Sequence, residues 1–209
     1  QAWPRCRAGV RRGASLMPAL FVHTGEQPLT WRLGEDVCAE RFRGELERLA
    51  MGLPEASHLL NLCNNRYFFM LGFGAAIRRR QITLMPPNMG PGIIREMAEA
   101  YPNCCCLVES PLEGVDLPQI RVEDLLQGRL AAIPSIPEIP SDQTVAIVYT
   151  SGSTGDPKPI AKSWGVLVEE AQAILGHLPF RVRGVRSLVA TGPPRGIYSL
   201  TSSVVLPWQ

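Results

Sequence analysis

The sequence has 209 residues, of which 45% are hydrophobic and 19% charged, and it contains 19 Gly and 19 Pro. This composition is typical of a globular protein and excludes disordered and collagen-like chains, while the proline content indicates many loops. The 21 Lys and Arg residues against 19 Asp and Glu give a net charge of +2. Because no stripe of basic and aromatic residues occurs, we expect no nucleic-acid binding.

The two ends of the chain predict a piece of a longer protein. The sequence begins at Gln1 and stops at Gln209, directly after an apolar run. Residues 1–16 form a basic tail, which is transit-like, a linker from an upstream domain or sequence in front of a start at Met17; we favour the last two. The longest apolar run, Tyr67–Ile77, is about half of the ~20 residues that a membrane span needs. We therefore expect a cytoplasmic protein without a membrane span.

The six cysteines are expected to be free thiols, because no pair has metal-ligand spacing and no secretion signal is present. Neighbouring side chains on a strand point to opposite faces, so the run Cys104–Cys106 cannot bring three thiols to one metal. These three residues are interpreted as small buried hydrophobic residues. His23, His58 and His177 have no partner at ligand spacing and are assigned no catalytic role.

Hydrophobic spacing predicts alternating helices and strands. In chain order the predicted elements are a helix over Glu35–Met51, a strand over His58–Leu62, a mostly buried helix over Tyr67–Arg79, a strand over Gln81–Leu84, a helix over Ile93–Tyr101, and strands over Cys104–Val108 and Thr144–Tyr149, followed by a helix over Trp164–Leu178 and a strand over Ser187–Thr191. Such alternation implies an α/β fold with a mainly parallel sheet and flanking helices. A proline-rich connector, 134–140, divides the chain into units 17–133 and 141–209.

A polar, glycine-rich loop follows the β-branched run that ends at Tyr149. Its glycines let backbone N–H groups turn toward one point, its hydroxyl groups add donors and its lysine adds a positive charge, which together suit a polyphosphate such as ATP. The candidate binding residues are Thr150, Ser151, Gly152, Ser153, Thr154, Gly155 and Lys158. Pro157 and Pro159 argue against the common NTPase loop, since proline lacks an N–H group and disfavours helix at the preceding residue. Lys158 is therefore expected to be extended.

The stretch Tyr149–Lys158 resembles the signature loop of the acyl-adenylate-forming (AMP-binding) superfamily, in the form Y-T-S-G-S-T-G-x-P-K. Gln81–Pro87 is similar to a strand and loop of that family's first subdomain, and Thr191–Ser199 is similar to a motif at the entrance to its acyl pocket. Together with Lys162–Gly165, these segments resemble the fatty-acyl and aryl-polyene AMP-ligases. The resemblance implies that residues 17–209 are part of the large amino-terminal domain of an AMP-dependent synthetase/ligase with a layered α/β fold.

The resemblance also implies a reaction: ATP and a fatty or aryl carboxylic acid give acyl-AMP, and the thiol of CoA, or of phosphopantetheine on an acyl carrier protein, then takes the acyl group. The loop residues would hold the β- and γ-phosphates with the help of Mg²⁺. Tyr198 would line or gate the acyl pocket, the alternative being a simple core residue. Gly196 and Ser199 depart from the family pattern. The magnesium-binding glutamate, the ribose-binding aspartate and the lysine of the carboxy-terminal domain are expected beyond Gln209, so no catalytic residue or metal ligand is assigned within the chain.

Three functional hypotheses follow from these observations. The first is the amino-terminal part of an acyl-CoA synthetase-like ligase, which would be inactive as a fragment. The second is a catalytically incomplete or decayed module that binds a nucleotide or a partner, suggested by the missing downstream motifs and the altered segment 195–199. The third, a different P-loop NTPase, is disfavoured by Pro157 and Pro159.

Overall fold

The structure, a computed structural model, describes residues 17–26, 28–127, 135–150, 158–177 and 187–209. Its elements in chain order are β1 (Pro28–Arg32), β2 (Glu35–Cys38), α1 (Ala39–Gly52), β3 (His58–Asn61), α2 (Arg66–Arg78), β4 (Ile82–Met85), α3 (Pro91–Ala100), β5 (Cys104–Val108), β6 (Gln119–Arg121), α4 (Val122–Leu126), β7 (Thr144–Thr150), β8 (Lys158–Ser163), α5 (Trp164–His177), α6 (Ile197–Leu200), a π-helical turn (Thr201–Val205) and a final 3₁₀ turn (Leu206–Trp208). The predicted tail 1–16, most of the glycine-rich loop (151–157), Pro134 of the connector and Leu178 lie outside the described residues.

Six strands form one sheet in the order β6-β5-β3-β4-β7-β8. All neighbours in it are parallel except the edge strand β8, which runs antiparallel to β7. The mainly parallel sheet predicted from the alternation of helices and strands is confirmed. Strand β8 is an addition to that prediction, and Lys158 at its start is extended, as Pro159 requires. A separate antiparallel hairpin joins β1 to β2.

Two predicted elements are wrong. The predicted helix over Glu35–Met51 starts too early, because a tight turn at Leu33 and Gly34, both with positive φ, folds Glu35–Cys38 back onto β1 as a strand. The helix begins only at Ala39. The predicted strand over Ser187–Thr191 has no regular secondary structure. No described strand pairs with it, and the carbonyl oxygen of Ala190 accepts a hydrogen bond from the Arg66 side chain instead.

Each face of the large sheet is covered by helices over its central strands. Helices α1, α2 and α5 lie on one face, where rings of Phe21, Phe42, Phe73 and Trp208 pack together, and α3 lies on the other. Successive residues of β5 enter opposite layers: Cys105 belongs to the first cluster and Cys106 to the second. Burial raises the pKa of Cys105 to about 11 and that of Cys106 to about 12. The prediction of small buried thiols is confirmed for Cys105 and Cys106, whereas Cys104, the first residue of β5, is half-buried.

Helix α2 is the most deeply buried helix of the first layer. Every residue from Tyr67 to Ile77 is buried, and the Asn65 side chain caps the helix by accepting hydrogen bonds from the backbone N–H groups of Tyr67 and Phe68. Gly72 and Gly74 allow close approach to the sheet and to α1. Within the described parts of the chain, no helix has the length and apolar character needed to cross a membrane.

Candidate functional site

The residues that flank the glycine-rich loop lie together at one edge of the sheet. Thr150 is the last residue of β7, Lys158 is the first residue of β8, and the two are paired across the strands. Because β3, β4 and β7 are parallel, their carboxyl ends reach this same edge, which is where open α/β sheets bind ligands. The Lys158 side chain is exposed there. Residues 151–157, which include five of the seven predicted phosphate-binding residues, lie outside the described residues.

Tyr198, the predicted acyl-pocket residue, lies in the first turn of α6 with 85% of its surface exposed. This exposure argues against the alternative that Tyr198 is a core residue. Behind α6 the π-helical turn is anchored to α5, because Thr201 Oγ1 donates to Glu170 Oε2 at 3.1 Å. The other carboxylate oxygen of Glu170 lies 2.5 Å from Lys162 Nζ on β8. The carboxylate of Glu170 on α5 thus connects β8 to the π-helical turn that follows α6.

Two arginines that the sequence did not single out lie at the carboxyl end of β3. Arg66, the first residue of α2, donates to the backbone carbonyl oxygens of Ala190 (3.3 Å) and Gly192, and to Ser203 Oγ. Arg195 donates in the opposite direction, to the carbonyl oxygens of Leu62 (3.2 Å) and Cys63 (3.3 Å) and to Asn64 Oδ1 (2.8 Å). Arg195 falls within a segment that resembles the family, but its partners are distant in sequence and no local pattern indicates them.

The charge of Arg195 is balanced by an acidic side chain across the loop that follows β3. Glu109 Oε1 accepts hydrogen bonds from the backbone N–H groups of Asn64 (2.5 Å) and Asn65 (2.6 Å). Burial lowers the pKa of Arg195, while the negative charge of Glu109 acts in the opposite sense. Burial also lowers the pKa of Arg66. Among the described residues neither arginine has a carboxylate within salt-bridge distance, so backbone and side-chain oxygen atoms are their main partners.

A cavity of about 320 Å³ opens at the opposite edge of the sheet, beside the start of β3. Ser57, His58, Tyr101 and Asn103 line part of it. Ser57 Oγ donates to the carbonyl oxygen of Asn103 at 3.0 Å and lies 2.8 Å from His58 Nδ1. This cavity is separate from the edge that carries Thr150 and Lys158.

No protein-family model matches the chain, and no curated protein sequence matches it. Solved structures do match. One is o-succinylbenzoate CoA synthetase from Bacillus subtilis, in complex with its acyl-adenylate intermediate, with a TM-score of 0.69 and 18% identity; 87% of this chain covers 50% of that one. The chain has the amino-terminal-domain fold of adenylate-forming enzymes. The fold class that the sequence predicts is thereby confirmed.

Other solved structures support the same fold assignment. ATP-bound MatB from Rhodopseudomonas palustris has a TM-score of 0.67 and 15% identity, with 83% of this chain covering 38% of that one. The inhibitor-bound N-terminal domain of FACL13 from Mycobacterium tuberculosis has a TM-score of 0.62 and 19% identity, with 79% of this chain covering 46% of that one. A further structure of the B. subtilis synthetase holds ATP and a magnesium ion. The chain spans about half the length of the synthetase that it matches.

Proposed function

We propose that this chain is the amino-terminal part of an ATP-dependent ligase that activates a fatty or aryl carboxylic acid as acyl-AMP and passes the acyl group to a thiol. One observation carries the proposal. The loop with the adenylate-forming signature joins Thr150 to Lys158 at the carboxyl ends of the parallel strands, in a domain whose fold is similar to about half of a CoA synthetase. In this proposal residues 17–209 are a partial AMP-binding domain, with units 17–133 and 141–209 about the connector 134–140. The proposed location is the cytoplasm.

The proposed role of the loop is to hold the β- and γ-phosphates of ATP. Thr150, Ser151, Gly152, Ser153, Thr154 and Gly155 would supply N–H and hydroxyl donors, and Lys158 would supply the positive charge. A carboxylate oxygen of the acid then bonds to the α-phosphorus as the bond to the pyrophosphate oxygen breaks. By binding the leaving pyrophosphate, these residues orient it and stabilise its developing charge. None of them acts as a nucleophile.

The remaining partners in the proposal are an acyl acceptor and a metal ion. The acceptor is the thiol of CoA or of phosphopantetheine on an acyl carrier protein, which takes the acyl group and releases AMP. Tyr198, exposed near this edge, would line the entrance to the acyl pocket. Among the described residues no group of His, Cys, Asp or Glu side chains could hold a metal ion, so no step is assigned to Mg²⁺ here.

Carboxylate-dependent exchange of pyrophosphate into ATP tests this function. The assay uses the protein at its full natural length, a panel of fatty and aryl acids, and the variants Lys158→Ala and Arg79→Ala. Both variants remove one exposed positive charge, but Arg79 caps the end of α2 at the edge away from the loop. We expect Lys158→Ala to lower exchange by roughly 10²-fold and Arg79→Ala to leave it unchanged.

Two results would overturn parts of this proposal. Absence of exchange with every acid, together with retained ATP binding, would replace the ligase by the alternative of a catalytically incomplete nucleotide-binding module. Equal effects of Lys158→Ala and Arg79→Ala would remove Lys158 from the phosphate-binding set.

A further inference from the structure

Residues 187–195 lie at the carboxyl end of β3. They make few backbone hydrogen bonds and few apolar contacts with the rest of the chain. They form no regular secondary structure, and within the described residues no backbone–backbone hydrogen bond joins them to the rest of the chain. Val189 is 87% exposed and Leu188 is exposed, and Pro194 is the one buried residue among 187–195, so apolar burial holds this segment at a single residue. The other attachments of the segment are hydrogen bonds made by side chains.

Those contacts are reciprocal and come from two arginines, which we call the arginine clasp: Arg66, Arg195 and the oxygen atoms to which they donate. Arg66 reaches from the start of α2 to carbonyl oxygens of the segment, at Ala190 and Gly192. Arg195 reaches from the segment back to the loop that follows β3. The segment is thus attached at two points, one on each side of Pro193 and Pro194.

The clasp matches the chemistry of arginine. A guanidinium group carries five N–H donors in a planar fork, whereas an ammonium group is a compact charge on a flexible stem. Arg195 uses this fork on three separate acceptors, two carbonyl oxygens and the Asn64 side-chain oxygen. The clasp thereby satisfies carbonyl groups at the end of β3 and at the segment that would otherwise need water.

The clasp adjoins both ends of α6. Gly196, the residue after Arg195, is the N-cap of α6, and Tyr198 lies in the first turn. On the other side, Arg66 contacts Ser203 in the π-helical turn that follows α6. The helix that presents Tyr198 is therefore held near both of its ends by the same pair of arginines. The end of β3 lies two strands from β7 in the sheet, which is about 10 Å at the usual strand spacing.

We propose that Arg66 and Arg195 are positioning residues that hold segment 190–198, including Tyr198, at the place where the acyl part of the acid binds. This inference rests on the proposed function. Among the contacts that the structure describes, the clasp makes no hydrogen bond with Lys158, the residue that follows the phosphate loop. Its loss should therefore weaken use of the acid more than use of ATP.

The test compares Arg66→Ala, Arg195→Ala and Arg195→Lys in the protein at its full natural length. Arg78→Ala serves as the matched control, because Arg78 contacts Glu47 on the surface of α1 and α2, away from the clasp. Pyrophosphate exchange gives the KM for the acid and for ATP. Hydrogen–deuterium exchange measures the protection of α6 and the π-helical turn, where the amides of Leu200, Thr201 and Leu206 donate backbone hydrogen bonds. We expect each clasp variant to raise the KM for the acid roughly tenfold and to change the KM for ATP less than twofold.

Hydrogen–deuterium exchange should become faster at the amides of residues 200–206 in each clasp variant, remain unchanged in β3 and β5, and stay at the wild-type rate in Arg78→Ala. Arg195→Lys should not restore the acid KM, since lysine cannot meet the three acceptors with the same geometry. An unchanged acid KM would overturn the inference, as would an equal rise in the KM for ATP. If the wild-type protein uses no acid, the proposed function fails, while unchanged hydrogen exchange in the variants would separately refute the clasp.

Discussion

Replacing Gly72 by alanine is expected to lower the free energy of unfolding, although alanine is the better helix former. Gly72 lies in α2 where the helix approaches β3 and β5. A Cβ atom at this position would lie 2.4 Å from Leu107 Cδ2 and 2.7 Å from Asn61 Nδ2. Both distances are far below van der Waals contact, so these neighbours must move.

Neither neighbour can move at low cost. Leu107 is fully buried, and Asn61 Nδ2 donates a 2.9 Å hydrogen bond to the carbonyl oxygen of Phe69 inside the core. Forcing an extra carbon into such a site costs about 1–3 kcal/mol, and loss of the Asn61 hydrogen bond would add about 1–3 kcal/mol. The better helix propensity of alanine offsets about 1 kcal/mol of this. The net expectation is a loss of about 3 kcal/mol, which corresponds to a fall in Tm of roughly 6–12 °C for a chain of this size.

Urea unfolding followed by circular dichroism measures this difference, with Gly92→Ala as the matched control. Gly92 lies in α3, and a Cβ atom there would meet nothing within 4 Å. The control should be unchanged or more stable by up to about 1 kcal/mol. If Gly72→Ala gains stability as Gly92→Ala does, the close packing of α2 on the sheet is not as tight as these distances imply, and the reasoning is refuted.

Two further predictions concern buried polar groups. Tyr67→Phe should cost about 1–3 kcal/mol in urea unfolding, because the Tyr67 hydroxyl donates at 2.6 Å to the buried Glu45 carboxylate, while Tyr198→Phe, at an exposed position, should cost nothing. Burial lowers the pKa of His58, so the unfolded chain takes up the proton more readily and the free energy of unfolding should fall as the pH drops below about 6.5. His58→Gln should flatten this dependence in denaturant titrations between pH 5 and 8, and an unaltered slope would contradict the assignment.

Local sequence was sufficient to predict the helices and strands whose buried residues follow one another without interruption in the chain. The apolar run at Tyr67–Ile77 predicts α2, and the alternation in Cys104–Cys106 predicts that Cys105 and Cys106 enter opposite layers; both are confirmed. Pro159 predicts that Lys158 is extended, and it begins β8. These features depend on residue spacing or on backbone restrictions within a few residues, which a sequence displays directly.

The same reasoning failed where the decisive partner is distant in the chain. Glu35–Cys38 continues a helical pattern, yet the turn at Leu33–Gly34 places it against β1 as a strand. Ser187–Thr191 has the composition of a strand, but no strand of the sheet pairs with it in the described structure. Strand pairing requires a free neighbouring edge, and local composition does not reveal whether one exists.

The sequence by itself determined the fold class, the glycine-rich loop and the adenylate-forming resemblance, because each depends on a contiguous pattern of residue types. Only the tertiary structure decided that Arg66 and Arg195, more than a hundred residues apart, exchange contacts across the carboxyl end of β3. Their acceptors are mainly backbone carbonyl groups, which every residue carries. No residue type therefore marks them in the sequence, and only the packing of helix, sheet and segment brings donor and acceptor together.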